Sequence, residues 1–247
     1  MSRRSTGPVL SGPIRWDVVP KPGGGARRLI VLSRADGSAF ARSVAPAARA
    51  IGQAIGSESH ANRLVAWDPT CGPVLEPWKR ARRRWEREVG RLGRQGRFVA
   101  LTDARACYAS LSVREITDRL AALGVAEACV HQIGSWLRVF CDMGTDGLPV
   151  GPAVSAILAD AVLSAGDDAI RSTGATHVRW VDDVAIFAPD ARTRANALEA
   201  LRVTWASFGL EIHDGKTVLL NEHVRAVRSG AASNSPSRPP RCDNRTT

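Results

Sequence analysis

Short apolar runs that end in aspartate stand out along this chain. RFVALTD ends at Asp103, and the runs THVRWV and VAIFAP meet at Asp182 and Asp183. Runs of this length, rich in β-branched and aromatic residues, predict buried β-strands. The sequence therefore predicts one strand that ends at Asp103 and a hairpin with an aspartate pair at its tip.

Helical spacing dominates the chain between and around these strands. Apolar residues three and four positions apart predict amphipathic helices. The predicted helices lie in residues 38–56 with a kink at Pro46, in residues 78–97, 112–124, 130–140 and 192–209, and from the loop GTDGLPVGP towards Gly174.

A further hairpin is predicted near each end of the patterned region. Residues 20–32 read PKPGGGARRLIVL, and residues 210–220 read LEIHDGKTVLL with Asp-Gly at the turn. This order of elements predicts an α+β fold, with a small antiparallel sheet covered by helices on one side. Beyond Leu220 the composition shifts to Ser, Pro, Arg and Asn, which predicts a disordered basic tail over residues 221–247.

Composition indicates a class of partner. The 247 residues are 44% apolar, enough for a substantial core, and carry a net charge of +10. Such a charge favours a polyanionic partner such as nucleic acid, although arginine-rich composition also accompanies GC-rich genomes. Residues 78–97 concentrate the charge, with 9 basic and 2 acidic side chains. Two interpretations of that helix stay open, a solvated face or a phosphate-binding surface.

The N-terminal sequence and the cysteine spacing indicate the cellular compartment and the state of the thiols. The first residues lack an apolar signal core, and the longest apolar stretch is interrupted by Asp160, so we expect a cytoplasmic protein that does not enter a membrane. The 5 cysteines are widely spaced and form no C-x-x-C pair. This pattern favours reduced thiols over a zinc site or a disulfide framework.

The adjacent aspartates of the predicted hairpin raise a chemical question. Neighbouring carboxylates raise each other's pKa unless a cation shares the site, so the pair is either solvated in a turn or binds a metal. If the strand ending at Asp103 lies beside the hairpin, three carboxylates converge at one sheet edge and could hold two Mg²⁺ ions. A second pair, Asp167 and Asp168, occurs at the polar end of a predicted helix with no strand context. An aspartate pair alone is therefore weak evidence for a metal site.

Four blocks in order carry a more specific signal: ALTDARACYASLS (100–112), GLPVGPAVS (147–155), RWVDDVAIF (179–187) and GLEIHDGKTVLL (209–220). Together they resemble the palm of reverse transcriptases, or RNA-directed DNA polymerases, of the bacterial kind found in retrons, group II introns and phage-defence systems. Upstream, KPGGGARRLIVLSRADGSAF and HANRL resemble fingers segments of that family. The resemblance implies a right-hand polymerase fold, with an N-terminal extension over residues 1–19, fingers over residues 20–99 and a palm over residues 100–220.

The resemblance also implies a role for individual residues. Asp103, Asp182 and Asp183 would be the catalytic aspartates that bind two Mg²⁺ ions, with the carbonyl of Ala104 as an added ligand. The residues implied to bind nucleotide or template are Lys21, Arg27, Tyr108, Gly147, Pro149, Gly151, Ser155 and Lys216. Lys21, Arg27 and Lys216 would contact phosphates, Tyr108 would lie beneath the sugar, and the others would contact the template and the incoming base.

Each of these substrate roles has a structural alternative. The glycines could be turn residues, Tyr108 could belong to the core, Ser155 could bond its own helix, and Lys216 could be solvated. Arg28 could exchange roles with Arg27. Two positions depart from the family pattern: Trp180 replaces a smaller aromatic residue, and Val150 stands where many members carry glutamine.

The resemblance implies an RNA-directed DNA polymerase that extends a primer on an RNA template with dNTPs. No helical segment that would form the family's thumb follows Leu220, so a partner chain or a missing segment could supply one. Two alternatives stay open. One is a catalytically impaired palm protein that binds RNA, and the other is a phage-defence polymerase with an atypical product.

Overall fold

The computed structural model describes residues 7–20, 24–95 and 98–221. Residues 1–6 of the predicted N-terminal extension, Lys21 and all but the first residue of the predicted tail lie outside this range. The helices are α1 (Arg34–Val44), α2 (Ala48–Ala54), α3 (Trp78–Gly93), α4 (Cys107–Ser110), α5 (Val113–Ala122), α6 (Glu127–Asp142), α7 (Ala153–Ser172) and α8 (Ala191–Ala206). The strands are β1 (Arg15–Pro20), β2 (Ala26–Val31), β3 (Leu64–Asp68), β4 (Gly72–Leu75), β5 (Phe98–Thr102), β6 (Ala104–Arg105), β7 (Thr176–Trp180), β8 (Asp183–Ala188), β9 (Glu211–Ile212) and β10 (Val218–Leu220).

The central sheet has four antiparallel strands in the order β10-β5-β8-β7. Thr102 at the end of β5 lies opposite Val184 of β8, so Asp103 follows directly beside the start of β8. Trp180 pairs with Asp183, which leaves a two-residue turn between β7 and β8. The predicted neighbourhood of the two strands is thus confirmed, and it brings the three aspartates to one end of the sheet.

Helices cover both faces of this sheet, not one face as the sequence predicted. Ala100 and Ile186 point into the main core, which includes residues of α7 and α8, while Val99 and Phe187 point into a second core that includes Trp85 of α3. Successive residues of a strand face opposite sides, so strands that are apolar at nearly every position need two covers. The apolar stripe of the arginine-rich α3 provides the second cover.

The N-terminal hairpin is tied to the loop that precedes α7. Strands β1 and β2 pair in register, and the amide of Ile30 in β2 donates to the carbonyl of Val150 at 2.7 Å. The predicted boundary at residue 20 falls at the last residue of β1, so β1 spans the expected limit between extension and fingers. The division into fingers and palm remains a prediction.

The last predicted hairpin is wrong, because its two strands pair with different partners. β9 pairs with β6, whereas β10 pairs with β5, and Asp214–Lys216 forms a 3₁₀ turn between them. The amide of His213 donates to the carbonyl of Asp103 at 2.9 Å, which holds the chain beside the end of β5. This crossing brings Lys216 next to Asp103.

Candidate active site

Three aspartates lie at the same end of the central sheet. Asp103 is 8% exposed and follows β5, Asp182 occupies the hairpin turn, and Asp183 begins β8. Burial raises the pKa of Asp182 to about 6, and the charge of Asp103 contributes to the rise. Burial and the charges of Asp182 and Asp103 raise the pKa of Asp183 to about 7. The cluster therefore contains more negative charge than its protein surroundings neutralise.

Two carboxylate oxygens of this cluster also lack hydrogen-bond partners. Oδ1 of Asp103 and Oδ2 of Asp183 are buried and accept no hydrogen bond from the described residues. Buried carboxylate oxygens without donors are costly unless a cation satisfies them, and carboxylate oxygens are the preferred ligands of Mg²⁺. The donor set therefore fits a divalent ion. Ala104, whose carbonyl is the expected added ligand, lies next to Asp103 in β6 and is buried.

One cation of the chain already contacts this cluster. Nζ of Lys216 lies 2.8 Å from Oδ2 of Asp103, and this hydrogen bond raises the pKa of Lys216. The ammonium group sits on a side chain that is 61% exposed, so it can move without disturbing the core. The partner of Lys216 in this structure is therefore a carboxylate, and its predicted phosphate contact stays a prediction.

Arg27 and Arg28 point in different directions, as consecutive residues of a strand must. The positive charge of Arg27 opposes the rise that burial causes in the pKa of Asp182. Arg28 instead stacks on the ring of Trp16, 4.2 Å from its centroid. Of these two residues, Arg27 is therefore the one placed to act at the aspartates. Lys21 lies outside the described residues.

Tyr108 is half-buried on α4 and is contacted by the loop that precedes α7. The amide of Leu148 donates to the carbonyl of Tyr108 at 2.8 Å. Gly147 has a φ of 61°, and a Cβ there would lie 2.6 Å from the same carbonyl oxygen. Burial raises the pKa of the Tyr108 hydroxyl well above its usual range. The glycine therefore permits a close approach between two of the predicted substrate-binding segments.

The rest of this loop packs against β2 and the core. Gly151 has a φ of 130°, and a Cβ there would clash with the carbonyl oxygen of Ile30. Pro149 is buried, and Ser155 is fully buried with its Oγ lacking a hydrogen-bond partner among the described residues. Close packing thus accounts for both glycines, and the predicted contacts of these residues with template and base stay predictions.

Behind the hairpin turn lies a buried ion cluster that sequence reasoning missed. The guanidinium of Arg179 is fully buried and contacts Asp160 at 2.7 Å and Asp167 at 2.9 Å. His177 lies 3.0 Å from Asp167. Although burial opposes ionisation, the charge of Arg179 keeps the pKa of Asp167 below its usual range. Asp160 and Asp167 are seven residues apart on the buried side of a largely apolar helix, and that spacing was the signal available in the sequence.

The expectation for the second aspartate pair needs correction. Only Asp168 is exposed, where it pairs with Arg171, whereas Asp167 is 1% exposed and bound to Arg179. Among the described residues, Glu58, Asp167 and His177 form the one group of three ligand-type side chains whose atoms lie within 4.8 Å of one another. Arg171 contacts Glu58 at 2.7 Å, so arginines already neutralise both acids of that group.

Another arginine, Arg82 of α3, also lies close to the aspartates. The guanidinium of Arg82 stacks on Trp85 at 4.2 Å and lies 5.4 Å from the ring of Trp180. Its charge opposes the rise in the pKa of Asp183. Trp180 is buried against Trp85, so the second core accommodates the larger aromatic residue at this position.

The described helices include none that is both long and apolar enough to cross a membrane.

The chain was compared with known families, curated proteins and solved structures. The family model for reverse transcriptase (RNA-dependent DNA polymerase) matches residues 19–231. None of the curated proteins matches the chain.

Two similar solved structures are yeast telomerases. Telomerase from Candida albicans, in complex with the TWJ fragment of telomeric RNA, aligns with a TM-score of 0.53 and 13% identity over 83% of this chain and 41% of that chain. Apo telomerase from Candida tropicalis, truncated from its C-terminal domain, aligns with a TM-score of 0.54 and 12% identity over 86% of this chain and 51% of that chain. This chain thus spans about half or less of these structures, and the likeness shows a shared fold. Because the family match extends over most of the sequence, the chain belongs to the reverse transcriptase (RNA-dependent DNA polymerase) family, a family of nucleic-acid polymerases.

Proposed function

We propose that this protein is an RNA-directed DNA polymerase that extends a primer with dNTPs on an RNA template. The observation that supports this best is the group of three aspartates at the end of β5 and the β7–β8 turn, with buried oxygens that lack donors. Asp103 and Asp182 would hold two Mg²⁺ ions, and Asp183 and the carbonyl of Ala104 would add further oxygen ligands. When bound, such ions favour the ionised primer 3′-hydroxyl and neutralise charge on the departing pyrophosphate.

The cations around the aspartates bind the triphosphate. Arg27 presents a forked guanidinium, which suits phosphate oxygens, and Lys21 acts with it. When ions and a nucleotide are bound, Lys216 would leave Asp103 and contact the phosphates of the nucleotide. Its 2.8 Å contact with Asp103 supports this role, because it places the ammonium group beside the residues that would hold the ions.

The sugar and the base of the nucleotide are recognised by α4 and by the loop that precedes α7. Tyr108 packs beneath the deoxyribose. The loop with Gly147, Pro149 and Gly151, together with Ser155, faces the template and the incoming base. The basic surface of α3 contacts template phosphates. In this arrangement residues 20–99 act as fingers and residues 100–220 as palm, and a thumb comes from another segment or a partner chain.

The four ordered sequence blocks favour a bacterial setting, either a retron, a group II intron or a phage-defence system with an atypical product. A second candidate function is RNA binding without synthesis. It is favoured by the ammonium of Lys216 on Asp103 and by the fact that Asp103, Asp182 and Asp183 do not form a three-ligand group within 4.8 Å among the described residues.

Primer extension separates these two functions. The assay uses an RNA template, a DNA primer, labelled dNTPs and Mg²⁺, with the wild-type protein and the variants Asp103→Asn, Asp182→Asn and Asp168→Asn. We expect both site variants to lose extension by more than about 1000-fold, the scale on which electrostatic groups act in catalysis, while Asp168→Asn behaves as wild type. Equal extension by all four proteins would reject the polymerase assignment, and RNA binding without extension by the wild type would favour the second function.

A further inference from the structure

The turn that carries Asp182 adopts a backbone conformation that its own sequence disfavours. Val181 has a φ of 57°, in the left-handed region that β-branched residues rarely enter. Such conformations persist only where the surrounding structure enforces them, and they concentrate at functional sites. Some contact must therefore hold the turn in place.

Arg179 provides that contact. Its Nη1 donates to the carbonyl oxygen of Val181 at 2.8 Å and to Oδ1 of Asp160 at 2.7 Å. The other edge of the guanidinium, Nε and Nη2, donates to Asp167 over 2.9 to 3.1 Å. One edge thus holds both the turn and α7, and the other edge fixes the guanidinium itself.

The anchor of Arg179 is rigid because it is built on a long helix. Asp160 and Asp167 lie two turns apart on α7, a helix of 20 residues, and both are 1% exposed. His177 contacts Asp167 from β7, so the same carboxylate also fixes the strand that leads into the turn. The side chain of Arg179 is fully buried and bound to both carboxylates of α7, which hold its guanidinium beside the Val181 carbonyl.

We infer that Arg179 is a positioning residue for the divalent-ion site: it holds the Val181 carbonyl, and through that carbonyl it fixes the direction of the Asp182 side chain. The inference rests on the proposed function only in taking Asp103 and Asp182 as ion ligands. Residues that orient metal ligands without touching the metal typically change ion affinity 10- to 100-fold when they are removed. A purely structural ion pair would change the thermal stability of the protein and leave ion affinity unaltered.

The test measures ion binding directly and does not depend on activity. Tb³⁺ is a hard cation that prefers oxygen ligands, and its luminescence is sensitised by a nearby tryptophan, here Trp180 next to the turn. In Arg179→Lys the charge stays, but a single ammonium cannot reproduce the fork that joins Val181, Asp160 and Asp167. We expect the Tb³⁺ concentration at half-saturation to rise by about tenfold.

A matched control makes the same substitution at another arginine that donates to α7, away from the turn. Nε of Arg119 donates to the carbonyl of Ala161 at 2.9 Å and its Nη2 to Ser164 at 3.1 Å, both on α7. Arg119→Lys should lower the midpoint of thermal unfolding and leave Tb³⁺ binding as in the wild type. An Arg179→Lys protein with wild-type Tb³⁺ binding would overturn the positioning role.

Two further variants keep the result interpretable. Asp103→Asn should abolish the Tb³⁺ signal. If Asp103→Asn keeps the Tb³⁺ signal, the assignment of the ion site fails. If Asp103→Asn abolishes the signal but Arg179→Lys binds Tb³⁺ as the wild type does, only the positioning role is overturned. If Arg179→Lys does not fold, Asp160→Asn replaces it, because an amide of the same shape weakens the hold on Nη1, and the same comparison decides the matter.

A substitution that makes the left-handed conformation of residue 181 easier to adopt supplies an independent check. Asn enters the left-handed region far more readily than Val. In a Val181→Asn background the turn should form without help from Arg179, so Arg179→Lys should weaken Tb³⁺ binding less than it does alone. An equal loss in both backgrounds would overturn the role in holding the turn.

Discussion

The folded state is less stable when the buried carboxyl group of Asp183 is charged. Its pKa rises from the ordinary 3.8 to about 7 because burial and two neighbouring carboxylates disfavour ionisation. Below pH 3.8 the group is protonated in both states and contributes no difference. As pH rises through the window between 3.8 and about 7 the unfolded state loses its proton first, so the free energy of unfolding falls and then stays low.

We therefore expect Asp183→Asn to stabilise the metal-free protein above neutral pH by on the order of 2 kcal/mol. The free energy of unfolding, measured by urea titration with EDTA present, should differ between variant and wild type in mildly alkaline buffer and converge near pH 4. Asp168→Asn, at an exposed carboxylate, is the control and should change neither value. A stabilisation of equal size in acid would contradict the electrostatic cause.

Tyr108 offers a second test at the level of one side chain. Its carbonyl, not its ring, makes the hydrogen bond with Leu148, so truncation of the ring leaves the backbone contact intact. If the ring excludes a 2′-hydroxyl by steric contact, Tyr108→Ala should lower the dGTP to GTP ratio of kcat/KM by about 10- to 100-fold, whereas Tyr108→Phe keeps the ratio. A folded and active Tyr108→Ala enzyme with the wild-type ratio would show that the tyrosine is structural.

The loop before α7 is the element on which the proposed site depends most. It contacts α4 through Leu148 and Tyr108 and contacts β2 through Val150 and Ile30, so it connects two segments that the sequence separates widely. The close approach of backbone to backbone explains why glycine occupies position 147. A side chain there would push the loop away from Tyr108.

This view predicts different results at two glycines that both have positive φ. Gly147→Ala places a Cβ 2.6 Å from the carbonyl oxygens of Ala109 and Tyr108, whereas Gly144→Ala meets nothing within 4 Å. In both variants the disfavoured φ should lower the free energy of unfolding by about 1 kcal/mol or more. Gly147→Ala should lower it by about 1 to 3 kcal/mol beyond that, because the backbone must move. Chemical denaturation gives both values, and similar losses would contradict the packing argument.

At the scale of the whole molecule, the charge distribution decides how nucleic acid is approached. The net charge is +10, and the exposed face of α3 carries Arg83 and Arg87 on the helix whose buried face covers the sheet. If this face binds template phosphates, each neutralised arginine should contribute to counterion release and to a steep loss of affinity with salt.

We expect Arg83→Gln and Arg87→Gln each to weaken RNA binding and to reduce the slope of log K against log salt by about one. Fluorescence anisotropy of a labelled RNA at several salt concentrations measures both quantities. Arg114, an equally exposed arginine on α5, is the control, and Arg114→Gln should keep the wild-type slope. Identical slopes for all three variants would place the RNA elsewhere.

The sequence by itself determined the local elements and the aspartates they present. Short apolar runs predicted β5, β7 and β8, and the short link between the last two strands required a turn at Asp182. These features depend on residues that are neighbours in the chain, so periodicity and turn chemistry suffice to predict them. The order of the blocks around Asp103, Gly147, Asp182 and Lys216 indicated the family for the same reason.

Tertiary structure alone decided which charges meet. Lys216 and Asp103 are 113 residues apart and pair because β9 and β10 join different sheets, which a hairpin prediction could not provide. Arg179 reaches Asp160 and Asp167 only because α7 packs against β7. As a result, Asp167 of the second aspartate pair is buried although its neighbour Asp168 is exposed. Local patterns encode the period of an element, whereas the partner of a buried charge depends on which elements pack together, and packing is a property of the whole chain.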